Sequence, residues 1–237
     1  MKHFIDISDF NTKQLDAIIS KAKELKKNPK KFAKKFQNKT LGMIFQKEST
    51  RTRVSFNVGF RKLGGETIEL DSKSIGFGKR ESYEDIIKTL SQYIDLLMIR
   101  NDDHSVIKNL STLNVLPIIN GLSDLSHPCQ ILSDFFTINE KLGNLKSQRI
   151  CWVGDYNNVL RSLIELQNIY KFRLNVVMPN KILSQSNSKI KKQNNKNLMI
   201  TNVINDGVKN ANCVMTDAWV SMGEKSNKKK YFKNFQV

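Results

Sequence analysis

Five consecutive residues, Ser49-Thr50-Arg51-Thr52-Arg53, bring together three hydroxyls and two guanidinium groups. Hydroxyls and planar guanidinium forks suit the oxygens of a phosphate or a similar dianion. The apolar run Leu41 to Phe45 before them reads as a buried strand, and Phe56, Gly59, Phe60 and Leu63 after them recur at helical spacing. The cluster therefore lies where a strand passes into the first turn of a helix. Unpaired backbone N–H groups and the helix dipole favour an anion there. The plainer alternative is a capped helix with a solvated basic turn.

Other residues of chemical interest follow strands in the same way. Arg100 closes the apolar run Leu96–Ile99, and by itself it reads as an ordinary surface arginine. His127 precedes Pro128 at the start of a helix, where it serves either as a cap or as a donor. Gln130 lies about one helical turn further on, so the two side chains offer neutral donors suited to a carbonyl or amide group. Gly154-Asp155-Tyr156-Asn157-Asn158 has the look of a glycine turn but lacks G-x-G-x-x-G, which excludes a nicotinamide cofactor. Asp217, in Asp217-Ala218-Trp219-Val220-Ser221-Met222-Gly223, caps a turn or holds a substrate ammonium group. In open parallel sheets ligands bind beyond the carboxyl ends of strands, where these residues collect.

The positioning elements alternate in type. Asn11 to Lys26 reads as an amphipathic helix with Leu15, Ile18, Ile19, Ala22 and Leu25 on one stripe and an Asn11–Gln14 capping box. Helices are expected from Thr50 to Leu63, after Ser82, over Ser105–Leu113 and from His127 to about Leu142. Strands are expected at Leu41–Phe45, Glu66–Leu70, Leu96–Ile99 and Val115–Ile119, with loops at 71–80 and 121–126. The pattern then restarts with strands at Arg149–Val153, Leu174–Met178, Leu198–Val203 and Cys213–Thr216. Helices are expected at 159–170 and 206–210, and the polar tract 181–197 reads as a loop or a solvated helix. Such alternation argues for an α/β fold of two domains, each a parallel sheet flanked by helices, spanning 1–143 and 147–237.

The bulk numbers narrow the class. The chain has 237 residues, and no apolar run approaches the ~20 residues of a membrane span. Its polar start, with early acids, resembles neither a signal nor a transit peptide, so a cytoplasmic protein is expected. Cys129, Cys151 and Cys213 lie far apart and have no metal-ligand spacing. The net charge of +17 comes from 39 basic and 22 acidic residues and raises a basic nucleic-acid-binding protein as a remote alternative. The lysines are scattered without interleaved aromatics, so no nucleic-acid partner is expected. A positive field would equally favour an anionic small substrate.

Taken together, the motifs resemble those of the aspartate/ornithine carbamoyltransferase family. Phe45-Gln46-Lys47-Glu48-Ser49-Thr50-Arg51-Thr52-Arg53 is similar to its carbamoyl-phosphate signature, and His127-Pro128-Cys129-Gln130 to its second signature. Asn120-Gly121-Leu122-Ser123-Asp124, Gly154–Asn158 and Asp217–Gly223 resemble the ornithine branch.

The resemblance implies that Ser49, Thr50, Arg51 and Thr52 hold the phosphate. It implies that Arg100, His127 and Thr52 polarise the carbamoyl oxygen and stabilise a tetrahedral transition state. Gln130 would fix the carbamoyl amide, and Asn158, Asp217, Ser221 and Met222 would bind ornithine. The implied partners are carbamoyl phosphate and ornithine, in a homotrimer, with no cofactor or metal.

Two departures accompany it. The family supplies a polar group from the loop near Gly76, where this chain offers only Lys79 or Arg80. The family also adds, beyond the equivalent of Val237, a His-Cys-Leu-Pro segment, a final arginine and a helix. On that reading the second domain is incomplete, and the alternative function is an inactive remnant that at most binds carbamoyl phosphate.

Overall fold

A computed structural model describes residues 2–47, 49–78, 80–191 and 195–218, with Tyr231 and Phe235; for 187–191 only the backbone is described. The chain divides into two units, Met1–Gln130 and Ile131–Val237.

The first unit holds strands β1 (Thr40–Phe45), β2 (Glu66–Asp71), β3 (Leu96–Arg100) and β4 (Ile118–Leu122), in the order β2-β1-β3-β4. All neighbours run parallel. Helix α1 (Thr12–Lys27) opens on the expected capping box: Gln14 N donates to Asn11 Oδ1 and Asn11 N to Gln14 Oε1, both at 3.0 Å. Helices α2 (Thr50–Lys62), α3 (Tyr83–Leu90) and α4 (His104–Thr112) connect the strands. The strand period of two explains the packing. Ile44, Leu97 and Ile99 enter one core, with Ile86, Ile87, Ile107 and Leu110. Leu41, Met43, Phe45 and Met98 enter the other, with Phe60. Both faces of β1 and β3 are thus covered, which is why these strands are almost uninterruptedly apolar.

Gly64 ends α2 at φ 88°, and a Cβ there would lie 2.5 Å from the Ala33 carbonyl oxygen, so both conformation and space exclude a side chain. The N-terminal segment adds a further link. Phe4 bridges to Ile119, donating its N–H to Ile118 O and accepting from Asn120 N, each at 2.8 Å.

The second unit repeats the scheme with β5 (Arg149–Val153), β6 (Arg173–Val177), β7 (Leu198–Thr201) and β8 (Cys213–Met215), in the order β7-β6-β5-β8, again parallel. Helix α5 (Pro128–Leu142) carries the division between the units. It is followed by α6 (Asn158–Tyr170), α7 (Asn180–Lys191) and α8 (Ile204–Val208). Helix α6 buries Val159, Leu160, Leu163, Ile164 and Leu166, so its core face is wide.

Some boundaries differ from expectation. The fourth strand begins at Ile118 rather than Val115 and runs through Gly121. Pro117 has no N–H to give a ladder; its carbonyl instead accepts from Leu97 N at 2.9 Å, and regular pairing starts after it. Of the two readings of the polar tract 181–197, the helix holds as far as Lys191, while the short helix near 206 starts earlier, at Ile204.

Candidate active site

Each sheet has one place where the direction of strand addition reverses. In the first unit β2 is laid on one side of β1 and β3 on the other, so the reversal falls between β1 and β3. In the second unit β6 and β7 extend one side of β5 and β8 takes the other. Crevices at such reversals are where ligands enter open α/β sheets. Ser49, Thr52 and Arg100 meet at the first, and Asp217 meets Asn157 at the second.

Between β1 and β3, Phe45 and Arg100 are register partners. Arg100 Nη1 donates to Ser49 Oγ at 3.0 Å and to Thr52 Oγ1 at 3.3 Å. Ser49 is the N-cap of α2, yet its hydroxyl makes no cap bond. The Arg100 Nε is buried and has no hydrogen-bond partner among the described residues. Burial lowers the Arg100 pKa and Asp102 opposes this, but a guanidinium remains charged. Thr50 and Arg51 are exposed on the first turn of α2.

Arg53 lies apart from this cluster. Its Nε is 2.9 Å from Glu69 Oε1, and its guanidinium stacks over the Phe45 ring at 5.0 Å. One of the two guanidiniums read in the cluster is thus engaged on the far side of the turn.

His127 stands within electrostatic range of Arg100. Burial, helped by that guanidinium, pushes its pKa down to about 4, so the imidazole is neutral at physiological pH. Gln130, a turn further along α5, is exposed. In the loop near Gly76, Arg80 pairs with Glu81 at 3.0 Å, whereas Lys79 lies outside the described residues.

At the second reversal Asn157 and Asp217 meet. Asn157 Nδ2 donates to Asp217 Oδ2 at 2.8 Å, while its Oδ1 caps α6 by accepting from Leu160 N at 3.0 Å. Asn158 is the first residue of α6 and Asp217 is exposed. Ser221 and Met222 lie outside the described residues.

Two supporting residues escaped the sequence reading. Gln46 braces the Arg100 turn: its N–H donates to Arg100 O at 2.9 Å and its Oε1 accepts from Asp102 N at 2.8 Å. Asn157, rather than Asn158, holds Asp217. The signal for Asn157 was its position just before an apolar helical repeat, a cap signature; Gln46 carried none. Among the described residues no cluster of His, Cys, Asp and Glu could hold a metal ion.

The chain matches two family descriptions end to end: "Aspartate/ornithine carbamoyltransferase, carbamoyl-P binding domain" over residues 2–140 and "Aspartate/ornithine carbamoyltransferase, Asp/Orn binding domain" over 146–237. It is 40% identical over 232 residues to the ornithine carbamoyltransferase of Brucella ovis, covering 96% of this chain and 74% of that one. To the ornithine carbamoyltransferase of Rhizobium meliloti it is 38% identical, covering 100% of this chain and 80% of that one. The crystal structure of the anabolic ornithine carbamoyltransferase from Campylobacter jejuni superposes with a TM-score of 0.89 at 33% identity, over 100% of this chain and 80% of that one. The chain belongs to the aspartate/ornithine carbamoyltransferase family, a family of two-domain α/β transferases.

Proposed function

We propose that the chain transfers the carbamoyl group of carbamoyl phosphate to the δ-amine of ornithine, giving citrulline and phosphate. The observation that carries this reading is Arg100 fastened to Ser49 and Thr52 at the start of α2, with neutral His127 nearby. The phosphate lies on the N-terminal turn of α2, held by Ser49, Thr50, Arg51 and Thr52. Arg100, His127 and Thr52 face the carbamoyl oxygen, and Gln130 the carbamoyl amide. The neutral amine attacks the carbamoyl carbon, and negative charge develops on the oxygen. These donors stabilise that charge because they are already oriented and partly dehydrated. The C–O bond to phosphate then breaks, and the proton shed by the amine leaves with phosphate or to water. Orientation of two substrates contributes much of the rate in such a transfer.

Asn158 and Asp217, with Ser221 and Met222, bind the amino-acid end of ornithine. Its ammonium group suits the exposed Asp217 carboxylate. The domains extend over 1–143 and 147–237, and the protein acts in the cytoplasm. No helix among the described residues is long and apolar enough to cross a membrane. Assembly as a homotrimer, implied by the family resemblance, would give the exposed apolar side chains Val54 and Val58 on α2 and Ile68 on β2 a surface to meet.

Citrulline formation from carbamoyl phosphate and ornithine tests this, with aspartate and putrescine as rival acceptors. Turnover with ornithine alone is expected. Calorimetric binding of carbamoyl phosphate without turnover would reduce the reading to a carbamoyl-phosphate-binding remnant, and turnover with another amine would move it to another branch.

A further inference from the structure

His104 lies outside the site just described, yet it joins the two turns that carry Arg100 and His127. It is buried at the start of α4, four residues after Arg100. Its Nε2 is 3.1 Å from Asp6 Oδ2 and its Nδ1 is 2.8 Å from Ser123 Oγ. Ser123 Oγ in turn accepts from Ser126 N at 3.1 Å and faces Ser126 O at 3.3 Å. The Ser126 side chain hydrogen-bonds back to Asp6, closing a ring. Two backbone contacts run parallel to the ring: His104 N donates to Asp124 Oδ1 at 3.1 Å, and Asp124 N to Asp102 O at 2.9 Å. Asp6, Ser123 and Ser126 are all buried. His127 follows Ser126 directly.

We propose that His104 is a positioning residue for His127, and that its protonation sets the direction of the Ser123 hydroxyl beside the peptide joining Ser126 to His127. The functional consequence rests on the reading of His127 as a carbamoyl-binding group.

Donor counting gives the mechanism. With both ring nitrogens protonated, Nε2–H donates to the Asp6 carboxylate and Nδ1–H to Ser123 Oγ. Ser123 then accepts twice, from His104 and from Ser126 N, and donates its own proton to Ser126 O. With one ring proton lost, Nε2 keeps the remaining one, because a carboxylate can only accept. Nδ1 becomes an acceptor, and the Ser123 hydroxyl must turn from Ser126 O to Nδ1. The Ser126 carbonyl keeps the Ser123 N–H at 2.9 Å but loses the hydroxyl.

The charged groups around His104 are Asp6 from the N-terminal segment, Asp124 from the turn before α5, and Asp103 and Lys108 beside it in sequence. The hydrogen bond that His104 donates to Asp6 raises the imidazole pKa from its ordinary value, against the opposing effect of burial.

The chain has three histidines, so their imidazole resonances can be followed by NMR in the full-length protein as pH is varied. The His127 resonance is expected to show, besides its own transition near pH 4, a second inflection at the midpoint of His104. Ser123→Ala and His104→Gln should both remove that inflection, and Ser123→Thr should restore it. Carbamoyl phosphate affinity by calorimetry should differ by about threefold or more between the two sides of the His104 midpoint found by NMR in the parent, and more weakly in His104→Gln over the same range. Absence of the second inflection in the folded parent, or its persistence in Ser123→Ala, overturns the proposal. The inflection without carbamoyl phosphate binding leaves the coupling standing and removes the functional reading instead.

Discussion

Arg100 takes the hydroxyl that would otherwise cap α2. Its Nη1 lies 3.0 Å from Ser49 Oγ, and Ser49, although it is the N-cap, makes no side-chain cap bond. The helix gives up a cap of about 1 kcal/mol so that the guanidinium is fixed before an anion arrives. Replacing Ser49 with Ala loses no cap bond but removes one of the two hydroxyls that accept from Arg100, so stability should fall by about 1 kcal/mol. Carbamoyl phosphate affinity should fall about tenfold, as expected for one charge-assisted hydrogen bond. Arg100→Lys should lose at least as much, since an ammonium cannot serve two hydroxyls and a ligand in one plane. Calorimetry on both variants, with thermal melts alongside, checks the split between binding and stability.

Half-buried His127 and buried His104 should give pH slopes of opposite sign. The pKa of His127 is depressed to about 4, so between pH 6.5 and 4 the unfolded chain binds the proton more readily, and stability falls as pH falls. The loss amounts to about 3 kcal/mol by pH 4. The pKa of His104 is raised, so its contribution is fully present below pH 6.5 and is lost as pH rises through its folded value. Urea unfolding of His127→Gln and His104→Gln across pH 4 to 9 should flatten the acid slope in the first and the neutral-to-alkaline slope in the second.

Asp217 is exposed and Asn157 half-buried, and their contact should matter more for an acceptor than for the fold. Asp217→Asn should shift stability by no more than about 0.5 kcal/mol. It should raise the ornithine KM by a much larger factor than it lowers kcat. Asn157→Ala also removes the α6 cap and should cost about 1 kcal/mol as well.

The thiols should be quiet in the native state. Burial pushes Cys129 up to about 12 and Cys151 up to about 11, and Cys129 Sγ donates to Asn120 O at 3.3 Å. Since the thiolate is the reactive form, alkylation at pH 8 should label both only on unfolding. Mass spectrometry of peptides after timed labelling reads this directly.

What was legible in the sequence follows from where local physics suffices. The apolar strands β1, β3 and β5 were legible because burial on both faces leaves uninterrupted hydrophobic runs. The Asn11–Gln14 box was legible because a cap is a short-range arrangement. The start of β4 was misplaced because Val115 and Leu116 are apolar without being in the ladder, and only pairing with β3 reveals that Pro117 precedes the strand. The meeting of Ser49 with Arg100 spans 51 residues, and that of Asp6 with His104 spans 98. No periodicity carries such separations. The former could be expected from strand ends in a parallel sheet, whereas the latter depends on the path of the N-terminal segment across β4.

That path has a consequence for how the protein is made. Phe4 can join Ile119 only after 115 more residues have been synthesised, roughly 6–23 s later at 5–20 residues per second. The segment around Phe4 is thus synthesised well before the strand on which it is seated. Asp6, and with it the ring around His104, stays open until the turn at Ser123–Ser126 exists. Completion of the carbamoyl-binding half is timed by its oldest segment waiting for one of its youngest.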